Sequence, residues 1–244
     1  MARDAVLLDR AARTGESVFS IYSWRHPTLS FGRNQRARGS YDLQRLSERG
    51  IDVVRRPTGG RAILHHREIT YSITAPVSTL ESLRDAYRHI NAILLDGLER
   101  LGVNAVIASA GESRSLTPSS APCFERPSEG EITAGGRKLV GSAQWREASA
   151  FLQHGSILVD DDQTELASFA AAGADEAGRE PPAPATLREL LGRAPASGEL
   201  AEAMFAAVRR IEAVEGSEIS EDEIRADTLS RIPAFLDEGW TWRR

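Results

Sequence analysis

Apolar positions recur along the chain with two periods, and these periods predict which segments are helices and which are strands. Apolar residues spaced three and four positions apart predict helices over 4–14 and over about 79–101. Short runs rich in β-branched and aromatic residues predict strands. The predicted strands are 18–22, 28–31, 51–55, 62–64, 69–74, 103–107 and 151–159.

Polar residues at suitable spacing predict where several helices begin. Ser78 and Glu81 form the S-x-x-E pattern of a capping box ahead of the long helix, and Ser220 and Glu223 form a second one near the C-terminus. Ser40 is the expected N-cap of a further helix that ends near residue 50.

A pair of glycines predicts a hairpin in the second half of the sheet. Gly135 and Gly136 suit a two-residue turn between strands 131–134 and 137–144. Strand alternation then places four side chains on one face. These are Lys138, Val140, Ser142 and Gln144.

The order of the elements predicts an α+β fold, with a mixed, largely antiparallel sheet, flanking helices and a short helical C-terminal segment. We expect residues 1–172 to form the core and residues 173–185, rich in Ala, Gly, Glu and Pro, to form a linker. Residues 186–244 are expected to form the helical segment and to pack on the same domain.

Composition indicates the cellular compartment and excludes some classes of partner. No apolar run approaches the roughly 18–20 residues of a membrane span, and the charged N-terminus lacks the pattern of a signal peptide. One cysteine cannot form an internal disulfide. We therefore expect a cytoplasmic protein without a membrane partner, and the net charge of −5 argues against nucleic acid as a partner.

Basic residues are distributed unevenly in position and in type. Residues 33–67 hold nine arginines against three acidic residues, a local net charge of +6. Such a segment is either an ordinary solvated face or a docking surface for an acidic partner or a phosphate. Lysine occurs once, at Lys138, among 30 basic residues. Unless it survives by chance, it marks a position where a compact amine with a tunable pKa is useful.

Three motifs combine residues that bind ligands or react. Residues 55–66 have the sequence R-R-P-T-G-G-R-A-I-L-H-H, whose paired glycines leave backbone N–H groups for an anion or a carbonyl, although the ending of a Walker loop is absent. Cys123 lies in a proline-rich loop, where a nearby cation would lower the pKa of the thiol.

The third motif contains His154, which precedes Gly155 and can be a base, a hydrogen-bond donor or a packed core residue. The histidines and the cysteine lack the local spacing of a zinc site, so no metal is expected.

Four segments in this order resemble the biotin/lipoate protein ligase superfamily. They are P-T-L-S-F-G-R-N-Q at 27–35, R-R-P-T-G-G-R-A-I-L-H-H at 55–66, G-R-K-L-V-G-S-A-Q at 136–144 and L-Q-H-G-S-I-L at 152–158. P-C-F-E-R-P-S at 122–128 resembles more narrowly the cysteine-dependent octanoyltransferases of the LipM type in the lipoate–protein ligase A family. His66 departs from the pattern, in which an aspartate is expected, and its role stays open.

The resemblance implies an acyltransferase of lipoate biosynthesis. Cys123 would take an octanoyl group from acyl carrier protein as a thioester. It would pass the group to a lysine on a lipoyl domain of a 2-oxoacid dehydrogenase E2 subunit or on the glycine-cleavage H protein. Lys138 would be the second catalytic residue, and neither ATP nor a metal would be required. The implied substrate-binding residues are Arg55, Arg56, Thr58, Gly59, Gly60, Arg61, His65, Gly141, Ser142, Gln144, His154 and Gly155.

Three other functions use the same motifs. An ATP-dependent lipoate–protein ligase would need Mg²⁺ and the same lysine, and Cys123 would be incidental. An amidotransferase would move the acyl group between carrier proteins through a cysteine. A non-catalytic acyl- or carrier-binding protein would form no acyl-enzyme. An ATP requirement, the preferred donor and the acyl-enzyme itself distinguish these functions.

Overall fold

Two β-sheets and seven α-helices make up the part of the chain that the computed structural model describes, which is residues 1–79, 82–109, 124, 129–171 and 183–243. The helices are α1 (Ala2–Thr14), α2 (Leu43–Glu48), α3 (Leu83–Arg100), α4 (Leu187–Leu191), α5 (Ser197–Glu212), α6 (Glu221–Leu236) and α7 (Glu238–Thr241). The strands are β1 (Val18–Tyr22), β2 (Thr28–Phe31), β3 (Asp52–Arg55), β4 (Ile63–His65), β5 (Glu68–Pro76), β6 (Val106–Ile107), β7 (Ile132–Ala134), β8 (Arg137–Glu147) and β9 (Ala150–Leu158). No helix within these ranges is long and apolar enough to cross a membrane.

The larger sheet has six strands in the order β1-β5-β9-β8-β7-β6, and every neighbouring pair is antiparallel. The smaller sheet has the order β3-β2-β4, and β2 with β3 is the one parallel pair among the described strands. The predicted α+β class with a largely antiparallel sheet is confirmed. The predicted strand 103–107 is shorter than expected, because Val103 packs into the core and only Val106 and Ile107 pair with β7.

Helices cover one face of the six-stranded sheet. Helix α3 places Leu94 and Leu98 against this sheet, and α5 packs on α3 through Leu200 and Met204. All four side chains are fully buried, and each contributes roughly 1.5–3 kcal/mol by leaving water. Gly97 permits the close approach of the two helices, because a Cβ there would lie 2.4 Å from the Met204 sulfur.

Helix α1 and the smaller sheet cover the opposite face. Leu8 and Ala11 of α1 pack on Leu152 of β9, and Ile63 of β4 contacts Leu158 at the end of the same strand. Every residue of β9 is therefore buried, although its side chains alternate between the two faces. Polar side chains that point toward the smaller sheet are enclosed between the two sheets.

The C-terminal helices pack on two separate parts of the fold. Helix α6 begins with the predicted Ser220–Glu223 capping box, which is confirmed, and packs on α1 through Ile224. Beyond α7, Trp242 packs on Phe31 of β2 with ring centroids 5.5 Å apart. The C-terminal segment thus contacts the N-terminal helix and the smaller sheet.

The end of the predicted linker 173–185 is attached to the large sheet. Residues 172–182 lie outside the described residues, but Ala185 is fully buried and its N–H donates to the Lys138 carbonyl at 2.9 Å. Its composition favours a loop, yet a backbone hydrogen bond to β8 fixes its end.

Two helices begin later than the serine patterns predict. Asp42 rather than Ser40 caps α2. Ser82 rather than Ser78 caps α3, because its hydroxyl accepts the Asp85 N–H at 3.1 Å. Residues around Ser78 form a separate 3₁₀ turn, so the earlier serine is not next to the helical residues that a cap must serve.

Replacing Ser82 with alanine should lower the free energy of unfolding by about 1 kcal/mol, because the first turn of α3 loses a side-chain acceptor. Ser78→Ala is the matched control, since it removes an exposed serine that only the sequence pattern assigns to the cap. Urea unfolding of both variants measures the difference. Equal losses would contradict the assignment of the cap to Ser82.

Candidate active site

A pocket between the two sheets collects many of the residues that the sequence singles out. Its walls come from β1, β4, β5, β8, β9 and the loops beside them. Seven predicted substrate-binding residues line it, namely Arg56, Gly60, His65, Gly141, Ser142, His154 and Gly155. The other five, Arg55, Thr58, Gly59, Arg61 and Gln144, are described by the structure but are not among the lining residues.

The two adjacent arginines at the end of β3 bind backbone carbonyls. Arg55 is fully buried and donates to the carbonyls of Thr241 at 2.9 Å and Gly32 at 2.6 Å. Arg56 donates to the Gly59 carbonyl at 2.9 Å and also lines the pocket. Arg55 therefore supplies donors to loop carbonyls that lack strand partners, and it is not among the residues that line the pocket.

A buried hydrogen-bond chain connects α1 to the glycine loop. His154 Nδ1 lies 3.2 Å from Asp4 Oδ2, and His154 Nε2 lies 2.6 Å from Thr58 Oγ1. Tyr22 donates its hydroxyl proton to the same Asp4 oxygen at 2.9 Å. Burial lowers the pKa of His154 despite the opposing effect of Asp4. Since a carboxylate only accepts, the neutral ring carries its proton on Nδ1, and Nε2 accepts from Thr58. His154 is thus a fixed link that holds the loop before Gly59.

A second buried network surrounds His65. Its ring stacks on Trp24 with centroids 4.2 Å apart. Its Nδ1 lies 3.1 Å from Glu68 Oε1, and its Nε2 lies 2.8 Å from Ser30 Oγ. Thr70 donates to the same Glu68 oxygen at 2.8 Å. Burial raises the pKa of Glu68 to about 8 and lowers the pKa of His65 well below its ordinary value, so both groups are neutral near pH 7.

Lys138 is buried beside Gly141, although it is not itself among the residues that line the pocket. Its Nζ lies 2.7 Å from Glu131 Oε1 and 5.0 Å from the centre of the Phe124 ring, and the residue is 2% exposed. A Cβ on Gly141 would lie 3.3 Å from Lys138 Cε and 3.0 Å from the Phe124 ring. Gly141, which lines the pocket, therefore leaves the space in which the ammonium and the ring meet.

A β-bulge changes the face on which Lys138 lies. Ile132 pairs with Val140 and Thr133 pairs with Lys138, which leaves Leu139 as an extra residue. Leu139 and Val140 consequently both pack into the core beneath α3. The predicted common face for Lys138 and Val140 is wrong, because the bulge turns Lys138 to the side of the smaller sheet.

Ser142 and Gln144 remain on the helix-covered face. Ser142 Oγ lies 2.6 Å from the Tyr71 hydroxyl, and Gln144 donates to the Leu83 carbonyl at 3.1 Å. Gly155 lies beside them, and a Cβ there would be 2.7 Å from the Tyr71 ring. Gln144 therefore packs away from the pocket, whereas Ser142 reaches it because both neighbouring glycines lack side chains.

Cys123 lies outside the described residues, but its neighbour Phe124 is placed. Phe124 is 3% exposed and packs on Ile63 and Leu158. Because a peptide bond joins Phe124 to Cys123, the chain reaches the contact with Lys138 directly after the cysteine.

His66 lies away from this region. It is half-exposed, with Nδ1 3.6 Å from Asp162 Oδ2. Within the described ranges, no group of three or more His, Cys, Asp or Glu side chains could hold a metal ion.

The sequence did not single out three carboxylates of the site. Asp4 lies on the apolar face of α1, one turn before Leu8, and that placement was the available signal. Glu131 precedes the hairpin whose second strand carries Lys138, so its proximity was foreseeable. Glu68 lies in a strand that is buried throughout, and no local pattern separates it from a solvent-facing residue.

Comparison with known proteins relates the chain to one enzyme family. Residues 1–209 match the family model of the lipoyl protein ligase A/B catalytic domain. A relative from Kyrpidia tusciae named octanoyltransferase LipM is 44% identical over 169 residues, which are 67% of this chain and 62% of the relative. A relative of the same name from Staphylococcus aureus is 42% identical over 175 residues, which are 68% of this chain and 63% of the relative. The match thus spans less than two thirds of either relative.

A solved structure has a similar fold over nearly the whole chain. It is a crystal structure of lipoate-protein ligase A bound with ATP, with a TM-score of 0.78 and 19% identity. The alignment covers 99% of this chain and 92% of that one. At this identity the similarity establishes the fold alone.

Glu68→Gln should change how stability depends on pH. The carboxyl titrates near its ordinary 4.5 when unfolded and at about 8 when folded, so between these values the folded state binds more protons and wild-type stability falls as pH rises. The glutamine variant lacks this loss. The free energy of unfolding of the variant minus that of wild type should therefore rise from pH 5 to pH 8. The slope of this difference should approach about 1.4 kcal/mol per pH unit.

Urea unfolding at pH 5, 6, 7 and 8 measures the effect of Glu68→Gln. Glu218→Gln, at an exposed position, is the control and should give a profile parallel to wild type. If the free energy of unfolding depended on pH in the same way for Glu68→Gln and wild type, burial would not hold the Glu68 carboxyl neutral.

Proposed function

Because the chain belongs to the lipoyl protein ligase A/B catalytic domain family, we propose that it is an octanoyltransferase of lipoate biosynthesis that acts through a thioester on Cys123. The donor is octanoyl-acyl carrier protein, and the acceptor is a lysine of a lipoyl domain or of the glycine-cleavage H protein. The names of two relatives at 44% and 42% identity support this activity. The observation that carries the proposal is the buried Lys138 ammonium, which contacts the residue adjoining the only cysteine of the chain.

In the first half-reaction, the Cys123 thiolate attacks the carbonyl carbon of the octanoyl thioester. A carbon–sulfur bond to Cys123 forms, the bond to the carrier sulfur breaks, and the carrier thiol takes up the proton that Cys123 released. A nearby positive charge favours the thiolate, and the Lys138 N–H can donate to the carbonyl oxygen as negative charge develops. The Lys138 Nζ atom already lies 2.7 Å from Glu131 Oε1, so the ammonium needs little reorganisation during the reaction.

In the second half-reaction, the ε-amine of the acceptor lysine attacks the Cys123 thioester. An amide bond forms, the carbon–sulfur bond breaks, and the proton lost by the attacking nitrogen passes to the departing sulfur. Lys138 can assist this proton transfer at the same position. Both half-reactions start from an activated thioester, so the proposal requires neither ATP nor a metal. The free thiol that it needs favours a reducing cytoplasm.

The pocket lining combines apolar side chains with a position beside Lys138. Trp24 and Ile63 line it and give an apolar wall for an alkyl chain. Gly141 lies beside Lys138, so we assign the reacting carbonyl to that position. The loop that contains Gly60 also lines the pocket, and the His154–Thr58 bond holds it.

Cys123→Ser should abolish acyl transfer, because its hydroxyl is a far weaker nucleophile and leaving group than the thiolate. Intact-mass spectrometry after incubation with octanoyl-acyl carrier protein, without ATP, should show one octanoyl adduct on wild type and none on the variant. Thermal unfolding controls for an intact fold. Full transfer by the variant, or a strict need for ATP, would favour the lipoate–protein ligase; a preference for octanoylated H protein as donor would favour the amidotransferase.

Lys138→Arg should lower acyl transfer on the order of 10²–10³-fold, because the planar guanidinium cannot place a compact donor on the carbonyl oxygen. The variant keeps a positive charge, so Cys123 should still react with iodoacetamide. Arg137→Lys is the control on the same strand, since Arg137 hydrogen-bonds to the Pro184 carbonyl and to Glu189. Near wild-type transfer by Lys138→Arg would reduce Lys138 to a generic cation.

A further inference from the structure

A basic surface with aromatic rings lies beside the pocket. It consists of Arg33, Arg36, Arg38 and Trp145 together with residues 240–243, and we refer to it as the basic ridge. Arg36 and Arg38 are exposed, and Arg33 is partly exposed. None of these three arginines forms an ion pair with a residue that the structure describes. These three arginines therefore add positive charge to one face of a chain with a net charge of −5.

Two aromatic side chains hold the central cation of the ridge. The Arg33 Cζ atom lies 3.7 Å from the centre of the Trp145 ring and 5.5 Å from that of Trp240. Arg243 covers Trp240 at 4.3 Å and donates to the Arg33 carbonyl. Stacking occupies the faces of the guanidinium and leaves its N–H edges for a ligand.

Neutral backbone carbonyls anchor the C-terminal part of the ridge. Arg38 donates from Nε and Nη2 to the Trp242 carbonyl at 3.2 and 3.0 Å. Trp240 Nε1 donates to the Arg55 carbonyl at 2.8 Å. These bonds fix the segment without cancelling the positive charge of Arg38.

The ridge adjoins the pocket at two places. The Arg33 N–H donates to the Thr58 carbonyl at 2.7 Å, and Gly60 of the same loop lines the pocket. Trp145 follows pocket-lining Ala143 by two positions on β8, so both side chains are on the same face. A partner seated on the ridge can thus extend a flexible arm into the pocket.

We propose that the basic ridge binds the acyl donor, with Arg33 on the phosphate of the phosphopantetheine arm and Arg36 on the acidic face of the carrier protein. The inference rests on the proposed function, in which that carrier supplies the octanoyl group. Arginine matches phosphate oxygens with two parallel hydrogen bonds and stacks on aromatic rings at the same time. The acceptor presents a lysine without a phosphate, so the stacked guanidinium favours the donor as the occupant.

Three donors separate the contributions of the protein and of the arm. They are octanoyl-acyl carrier protein, octanoyl-4′-phosphopantetheine and octanoyl-pantetheine, and mass spectrometry measures kcat/KM for acyl-enzyme formation. Arg33→Gln should lower kcat/KM about tenfold for the two phosphate-bearing donors, the effect of one lost charge-assisted hydrogen bond, and should spare octanoyl-pantetheine. Arg36→Glu should lower it about tenfold for the carrier protein alone.

Arg209→Glu is the control for charge reversal. It makes the same change at an exposed position on α5, which packs on the other side of the six-stranded sheet. Equal losses for all three donors would give Arg33 a merely structural role and overturn the proposal. An increase in KM for the acceptor instead of the donor would assign the ridge to the acceptor and also overturn it.

A direct binding measurement tests the basic ridge independently of acyl transfer. Fluorescence anisotropy measures the Kd of labelled acyl carrier protein for Cys123→Ser, alone and combined with Arg36→Glu or Arg209→Glu. Weaker binding with Arg36→Glu only supports the ridge, and equal binding by all three overturns it. A wild-type chain that forms no acyl-enzyme from any donor contradicts the proposed function and leaves this binding result to decide the ridge.

Discussion

One extra residue in β8 determines which side of the large sheet receives the only lysine of the chain. A regular strand would place Lys138 on the same face as Val140, beneath α3 in the apolar core. The bulge at Leu139 turns the Lys138 ammonium to the other face. There it forms an ion pair with Glu131 and lies over the Phe124 ring. A buried ammonium without such partners would cost several kcal/mol. The pairing with Glu131 and the gap above Gly141 are therefore conditions for the proposed chemistry.

Enclosure between two sheets imposes the same constraint on the remaining polar groups of the pocket. A buried polar group there costs free energy unless it is hydrogen-bonded and either neutral or paired. His154 and His65 remain neutral because burial lowers their pKa values, and burial raises the pKa of Glu68 to about 8. These groups form fixed walls that hold the strands and the glycine loop in register. The titratable chemistry of the proposal is left to Cys123 and Lys138.

The arginines of the 33–67 segment occupy two environments that their charge alone does not distinguish. Arg55 and Arg56 are buried and bind loop and C-terminal carbonyls, so they add little to the surface potential. Arg33, Arg36 and Arg38 remain at the surface and form the ridge with C-terminal aromatic residues. Reversal of a buried arginine should therefore destabilise the fold, whereas reversal of the exposed Arg36 should leave the fold intact.

Periodicity and short motifs determined much of this protein from the sequence alone. The α+β class, the two-residue turn at Gly135-Gly136 and the capping box at Ser220 depend on residues within a few positions of one another, and they appear in the structure as predicted. The motifs also indicated seven residues of the pocket wall. These signals are local because hydrogen bonds of turns and caps join neighbouring residues.

Only the tertiary structure decided the features that depend on distant partners. Asp4 meets His154 across 150 positions, and Arg55 meets Thr241 across 186. The bulge in β8 likewise follows from pairing with β7 and packing against α3, which no pattern within β8 records. Such contacts form because a buried polar group without a hydrogen-bond partner is costly once the layers have closed. The sequence could therefore single out Lys138 as a candidate, while the packing of the sheets decided which neighbours hold its ammonium in place.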